Sequence, residues 1–394
     1  MRTLLLSENF PPRTGGSGRW FWETYRRLPR EEFVIAAGQT EGASAFDETH
    51  NLRIHRLPLS LKAWGVRSVS GLRAYWRTNQ ALKRIVRSDD VSIIHCGRCL
   101  PEGLMALVLK MTRRVPYLCY VHGEDVSTAR ESREHTWLVH RVLRGASLLI
   151  ANSANTGRIL REEWQTPEEK VQVLYPGVDT RLFSPAPRDP NYRERLGWGN
   201  RPVILTVGRL QKRKGQDMMI RALVTIRRSL PDILYSIIGD GEERASLGAL
   251  AESMGLSNQV QFLGELGDNE LLRCYQQCDL FALPNRQEGK DFEGFGMVLL
   301  EAQACGKPVL AGDSGGTAET MRVPETGCVV NCDGPDQLAS VVSELLAHPD
   351  RLEQMGRNGR QWVVDRFDWA ALTRQAQELF RAMQPELTAA GALA

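Results

Sequence analysis

Two runs of this sequence place charges where they could hold a phosphorylated sugar. In VGRLQKRKGQD an apolar strand ends at Val207–Gly208, and Arg209 and Lys214 follow in a loop before a helix around Met218–Leu230. Two cations five residues apart at a strand's end can converge on a diphosphate. Arginine grips phosphate oxygens with a planar fork, and lysine supplies a compact point charge. The same run also fits a solvated basic loop, since Lys212 and Arg213 lie in it. In EGFGMVLLEAQACGKPV, Glu301 follows Glu293 by eight positions. A helix starting near Gly296 puts Glu293 at its mouth and Glu301 within it. Gly294 and Gly296 let a ligand approach the backbone closely. The free N–H groups of Phe295, Gly296 and Met297 favour an anion or sugar hydroxyls at that mouth. Glu301 has Leu299, Leu300, Ala302 and Ala304 for neighbours, so it is expected to be buried and to need a partner. A carboxylate accepting from two vicinal hydroxyls would hold a ribose or a hexose.

Weaker signals lie nearer the start. Gly15 and Gly16, in PPRTGGSG, follow the first strand and precede a helix. A phosphate could rest there on backbone N–H groups, and a tight turn would look the same. His122 and Asp125, in YVHGEDV, lie just past a strand, where a histidine can line a binding cleft or serve structure. His95, Cys96 and Cys99 form the one group with zinc-like spacing. A closed zinc site wants four ligands, and no second CxxC or HxxxH pair is present, so no metal is expected there.

These residues need a scaffold that ends its strands on one side. Short apolar runs without helical period alternate with helical stretches along the chain. The strand candidates are Thr3–Ser7, Phe33–Ala37, Val91–His95, Pro116–His122, Ser147–Ser153 and Val171–Tyr175, then Arg201–Leu210, Ile233–Gly241, Val260–Gly264, Leu280–Pro284, Lys307–Gly312 and Thr326–Val330. Such runs suit strands buried on both faces. The alternation implies parallel sheets with helices on either side, which is two doubly wound α/β domains in tandem with a cleft between them. The Pro-rich stretch YPGVDTRLFSPAPRDPNYRER reads as a linker. The expected division is a first domain over 1–185, a second domain over 186–366, and a helical segment over 367–394 that returns to the first domain.

The 394 residues suit two domains, and 42% apolar with 25% charged residues is an ordinary globular composition. The first ten residues carry too short an apolar run for a signal peptide, and no segment offers the roughly 18 apolar residues of a membrane span. A cytoplasmic chain is expected, with eight cysteines serving as core thiols. Net charge is +3 but unevenly placed. Residues 51–150 hold 17 Lys/Arg against 7 Asp/Glu, whereas 251–350 hold 5 against 16. The basic first half suits an anionic partner. From Arg53 to Arg87 there are nine Lys/Arg and no acid, interleaved with Trp64, Tyr75 and Trp76. That stretch could lie on an anionic membrane, at the inner face of the cell membrane, or be a solvated helix and loop. Nucleic acid is not an expected partner, because the basic stretch sits beside an acidic second half.

The ordered set NFPPRTGG, YVHGED, ANSANT, YPGVD, VGRLQKRKGQD, IIGDGEER, VQFLGEL, EGFGMVLLEAQACGKPVLAG and GGTAET resembles the family-4 retaining glycosyltransferases of the GT-B fold over nearly the whole chain. Within the family, DFEGFG and LEAQACGKPVLAGDSGG are most similar to GDP-mannose-dependent mannosyltransferases acting on phosphatidylinositol mannosides. The resemblance implies roles. Arg209 and Lys214 would stabilise the departing diphosphate, and Glu301 would bind the ribose hydroxyls. Glu293 would contact donor-sugar hydroxyls, helped by the backbone of Phe295, Gly296 and Met297. His122 would lie over the donor sugar, and Gly15 and Gly16 would approach the phosphates on domain closure. Leu263, Leu266 and Gly239 would line the base pocket. With no plausible DxD motif, neutralisation of the diphosphate would need no divalent metal and no other cofactor. The expected partners are a nucleotide-sugar donor and a glycan or lipid-linked acceptor. A UDP-sugar donor, a sugar phosphorylase and a non-catalytic nucleotide-sugar-binding paralogue remain open. The paralogue would be expected to lose donor-site charges, and all four are kept. A Rossmann dehydrogenase would need a GxGxxG turn after its first strand, which is lacking.

Overall fold

A computed structural model describes residues 2–13, 15–60 and 67–392, with side chains as far as Met383. The chain divides into two compact units. One comprises Met1–Pro176 with Trp369–Ala394, and the other Gly177–Asp368.

The first unit is built on seven parallel strands: β1 (Arg2–Ser7), β2 (Phe33–Gly38), β3 (Ile54–Leu57), β4 (Val91–Cys96), β5 (Tyr117–Val121), β6 (Leu148–Ala151) and β7 (Val171–Val173). Their order is β3-β2-β1-β4-β5-β6-β7. Leu4, Leu5, Leu6, Tyr117 and Leu149 are wholly buried, because helices cover both faces. The closing helix, Trp369–Ala392, belongs here, and Phe380 packs on Tyr25, Phe33 and His95.

The second unit has six parallel strands: β8 (Val203–Val207), β9 (Leu234–Ile238), β10 (Val260–Gly264), β11 (Leu280–Leu283), β12 (Val309–Gly312) and β13 (Gly327–Val330). The order β10-β9-β8-β11-β12-β13 is the doubly wound order 3-2-1-4-5-6. Connections leave β8 and β11 in opposite directions, so a crevice opens between the carboxyl ends of these two strands. Ligands of such sheets bind at that point.

Three expectations change. The units divide at 176/177 and 368/369 rather than at 185/186 and 366/367. The Val178 N–H donates to Phe367 O at 2.9 Å, and Arg360 donates to Thr180 O and Phe183 O, which ties the start of the presumed linker to the second unit. The rest of that stretch is structured too: Arg193, wholly buried in the helix Pro190–Arg195, donates to Gly199 O at 2.8 Å. Strand β3 was hidden inside the basic stretch. It is a four-residue edge strand carrying His55 and Arg56, so it lacks the apolar run of the others.

Candidate functional site

The crevice of the second sheet gathers most of the charged candidates. After β8 the chain makes a single 3-10 turn, Lys212–Lys214, then passes through Gly215 at φ 70° into the helix Gln216–Ile226. A Cβ on Gly215 would stand 1.7 Å from Pro284 O, so only glycine lets the loop after β8 lie on the loop after β11. Further bonds fasten the two loops. The Arg286 N–H donates to Arg213 O at 2.9 Å, and Arg286 reaches Asp217 at 2.7 Å and Glu288 at 2.6 Å.

This stitching delivers two cations to one carboxylate. Glu293 Oε2 accepts from Lys214 Nζ and, at 2.6 Å, from Arg213 Nη1. Burial alone would push the Glu293 carboxyl up. The Lys214 ammonium and Arg213 guanidinium outweigh burial and hold it at about 2. Asp291 Oδ2 lies 3.2 Å from Arg213 Nε. Its carboxyl is raised by burial, with Arg213 opposing and Glu293 adding. Arg209 is not drawn into this group. Its side chain is exposed and has no ion-pair partner among the described residues, while Gln216 Nε2 donates to its carbonyl at 3.1 Å. Arg213 is the residue that sequence reasoning left as loop charge. Nothing in KRKG distinguishes it from Lys212, which is exposed.

Glu301 lies in the helix Met297–Ala304, which starts after Gly296 at φ 91°. The glutamate is 5% exposed, and its Oε2 accepts from the Tyr275 hydroxyl at 2.7 Å. Tyr275 is itself buried between Phe183 and Phe281. Burial of Glu301 was legible in its neighbours, but its partner lies 26 residues away on the helix Asp268–Gln277. Phe295 is buried against Phe367, and Met297 is half-buried.

Gly239 follows β9 at φ 127°, and a Cβ there would stand 2.1 Å from Gly208 O. Its N–H donates to Gly264 O at 2.8 Å. The carboxyl ends of β8, β9 and β10 are thereby pinned together, with half-buried Leu263 and Leu266 on the strand end and loop beside them.

In the first unit His122 follows β5. Its Nε2 lies 2.7 Å from Gly97 O, and a carbonyl can only accept, so Nε2 carries the proton and Nδ1 presents a lone pair. Burial lowers its pKa, with Asp125 opposing, and the ring is neutral at pH 7. Trp20 and Phe21 meet it edge-on at 5.8 and 6.0 Å. Asp125 Oδ1 accepts from the His122 backbone N–H at 3.0 Å. Gly15, at φ 150°, caps the helix Gly16–Tyr25. Sequence reasoning missed Glu8 and Glu102, buried at the carboxyl end of the sheet, where the Glu8 N–H donates to Glu102 Oε1 at 2.8 Å. The zinc-like group has core partners: His95 Nδ1 lies 2.7 Å from the Tyr25 hydroxyl, and the Cys99 and Cys119 sulfurs lie 3.8 Å apart. All eight cysteines are free.

The basic stretch is only partly available. Arg56 pairs with Asp47 at 2.7 Å, while Arg53 and His55 pair with Asp89. Lys62 and Trp64 lie outside the described residues. Arg73, Arg77, Lys83, Arg84 and Arg87 lie on the helix Val69–Ser88. No described helix is long and apolar enough to cross a membrane.

Residues 189–362 match the family described as glycosyl transferases group 1, and residues 14–182 match glycosyltransferase family 4. Among curated proteins, the GDP-mannose-dependent alpha-(1-6)-phosphatidylinositol monomannoside mannosyltransferase of Mycolicibacterium smegmatis is 33% identical over 95% of this chain and 97% of its own length. The Corynebacterium glutamicum protein that acts on the monoacylated form is 32% identical over 93% of this chain and 94% of its own. Among solved structures, Anabaena Alr3699/HepE in complex with UDP superposes with a TM-score of 0.81 at 22% identity, covering 97% of this chain and 100% of that one. WaaG, a glycosyltransferase involved in lipopolysaccharide biosynthesis, gives 0.70 at 21% identity, covering 96% of this chain and 99% of its own. At these identities the two structures speak for the fold.

Proposed function

The chain belongs to the glycosyltransferases of group 1 and family 4, hexosyltransferases of the GT-B fold, and we propose that it moves mannose from GDP-mannose to a lipid-linked or glycan acceptor with retention of configuration. The observation that carries this reading is the grouping of Lys214, Arg213 and Glu293 at the switch point of the second sheet, with Glu301 buried nearby in sequence. Lys214 and Arg209 would take the charge that develops on the departing diphosphate, with the mouth of the helix Met297–Ala304 adding its dipole. These groups supply the neutralisation that a divalent cation supplies elsewhere, so turnover is expected to survive EDTA. Glu301 would hold the ribose, and Glu293 with the backbone of Phe295, Gly296 and Met297 the transferred sugar. Gly239, Leu263 and Leu266 would border the base. In the first unit, His122 would lie over the donor sugar, accepting a hydrogen bond from a sugar hydroxyl at Nδ1, and Gly15–Gly16 would approach the phosphates. The acceptor hydroxyl would attack from the face that the diphosphate leaves, and a phosphate oxygen would take its proton.

Donor choice is tested by thermal shift with GDP and UDP. A ligand at a hundred times its Kd stabilises the folded state by about 2.7 kcal/mol, a readily measured rise in melting temperature. GDP is expected to raise the midpoint and UDP to leave it unchanged; the opposite result sinks the mannose donor and favours a UDP-sugar.

A lipid-linked acceptor is favoured by one surface of the first unit. On the helix Val69–Ser88, Val69, Leu72 and Trp76 are 72, 52 and 63% exposed, at spacings that share a helical face, with Arg73 and Arg77 beside them. The helix Arg133–Gly145 adds Trp137, 58% exposed, and Arg133, Arg141 and Arg144. Exposed apolar groups flanked by arginine suit an anionic bilayer surface. In flotation assays the protein is expected to rise with phosphatidylserine vesicles, and Leu72→Ser/Trp76→Ser to weaken this. Equal recovery with phosphatidylcholine alone removes the argument.

A further inference from the structure

Glu293 rests one oxygen on two cations, and those cations are held very differently. Lys214 reaches Oε2 with a flexible stem. It also passes the end of β8, where a Cβ on Gly208 would lie 3.8 Å from its Cε and Nζ. Arg213 is braced. Its Nη1 meets Glu293 at 2.6 Å and its Nε meets Asp291 at 3.2 Å, so two different nitrogens of one rigid plane are engaged. Its carbonyl accepts from the Arg286 N–H, and Arg286 is itself held by Asp217 and Glu288. The Arg213 side chain is 13% exposed.

We propose that Arg213 is a positioning residue that keeps Glu293 ionised and aimed at the donor sugar once Lys214 turns to the departing diphosphate. This rests on the transferase reading of the site. A diphosphate entering the crevice competes with Glu293 for the Lys214 ammonium. Glu293 would then be a largely buried carboxylate that had lost a counter-ion, and burial favours its protonated form. A protonated Glu293 offers one fewer acceptor to the sugar hydroxyls. Arg213 prevents this without leaving its place, because Asp291 and, through its backbone, Arg286 keep it there. The charged groups facing Glu293 are Lys214 and Arg213, with Asp291 behind; Asp217, Arg286 and Glu288 surround Arg213 at one remove.

The sign follows from which form works. The carboxylate is the active form, and removing a cation raises its pKa, so the acid limb of activity moves to higher pH. The test uses the full chain as Arg213→Gln and Arg213→Lys, with GDP and GDP-mannose, or UDP and its sugars if UDP alone stabilises the wild type. Binding of the nucleoside diphosphate is expected to change by less than about threefold in Arg213→Gln, since the diphosphate is read by Lys214 and Arg209. Release of nucleotide from the sugar donor is expected to fall by up to about tenfold along the acid limb and to recover on the plateau at higher pH, with that limb raised by about one unit, the usual effect of one nearby charge. Arg213→Lys restores most of the wild-type profile. A large loss of diphosphate binding would make Arg213 a phosphate ligand and overturn the proposal. So would a loss of rate that is the same at every pH. A wild-type protein that binds neither GDP nor UDP removes the transferase reading itself, a separate and recognisable result.

Discussion

Lys214→Met is expected to lower kcat/KM for sugar transfer by about 10²- to 10³-fold while leaving a folded protein. Methionine keeps the apolar stem that Lys214 threads into its largely buried slot, so packing is conserved and the charge is what is lost. The loss is large because a preorganised cation in a dry site acts where charge develops in the transition state. Stability should fall only modestly, because Arg213 still pairs with Glu293. Arg209→Met makes the informative contrast. Arg209 is exposed and has no ion-pair partner among the described residues, so its removal should leave the melting temperature unchanged and still reduce turnover. Steady-state release of nucleotide and a melting curve for each variant check both halves. A loss under tenfold for Lys214→Met would mean that another group carries the diphosphate.

Much of this arrangement could be seen in the sequence, and the parts that could not share a cause. The buried strands announce themselves: VILTV and LFAL are runs without polar interruption, as strands covered on both faces must be. Strand β3 did not, because an edge strand with His55 and Arg56 has no such run. Arg209, Lys214, Glu293 and Glu301 stood out because charged residues near strand ends, or amid apolar neighbours, need an explanation. Position in the sequence says nothing, however, of which cation a carboxylate will choose. Arg213 and Lys212 are adjacent, yet one is half-buried against Glu293 and the other faces solvent. That difference is set by where the loop after β11 crosses the loop after β8, a contact between residues about 70 positions apart. The same holds for Gly215 and Gly239. Each reads as an ordinary turn glycine, and the carbonyl that forbids a side chain there belongs to a distant strand end. Tyr275 is the extreme case, an aromatic residue in a helix whose hydroxyl supplies what Glu301 was known to need.

Glu301 and Tyr275 permit a test that separates binding from stability. Replacing Glu301 by leucine removes the proposed acceptor for the ribose hydroxyls and also the carboxylate that accepts from the buried Tyr275 hydroxyl. A charge-assisted hydrogen bond contributes about 1.5–3 kcal/mol, so losing two should raise the donor KM by at least about 10²-fold. Removing the acceptor of a buried hydroxyl costs about 1–3 kcal/mol, which should appear as a lower melting temperature. Tyr275→Phe added to Glu301→Leu removes that hydroxyl as well, since two apolar partners of matching shape need no hydrogen bond. The double variant is therefore expected to regain most of the lost stability and none of the lost affinity. Tyr275→Phe alone should bind donor less well by a smaller factor, because the Glu301 carboxylate remains but loses the hydroxyl that orients its Oε2. Melting curves and donor KM for the three variants decide the matter. If affinity returned along with stability in the double variant, Glu301 would be a structural acid whose loss disturbs the site from a distance, and the ribose would be held elsewhere.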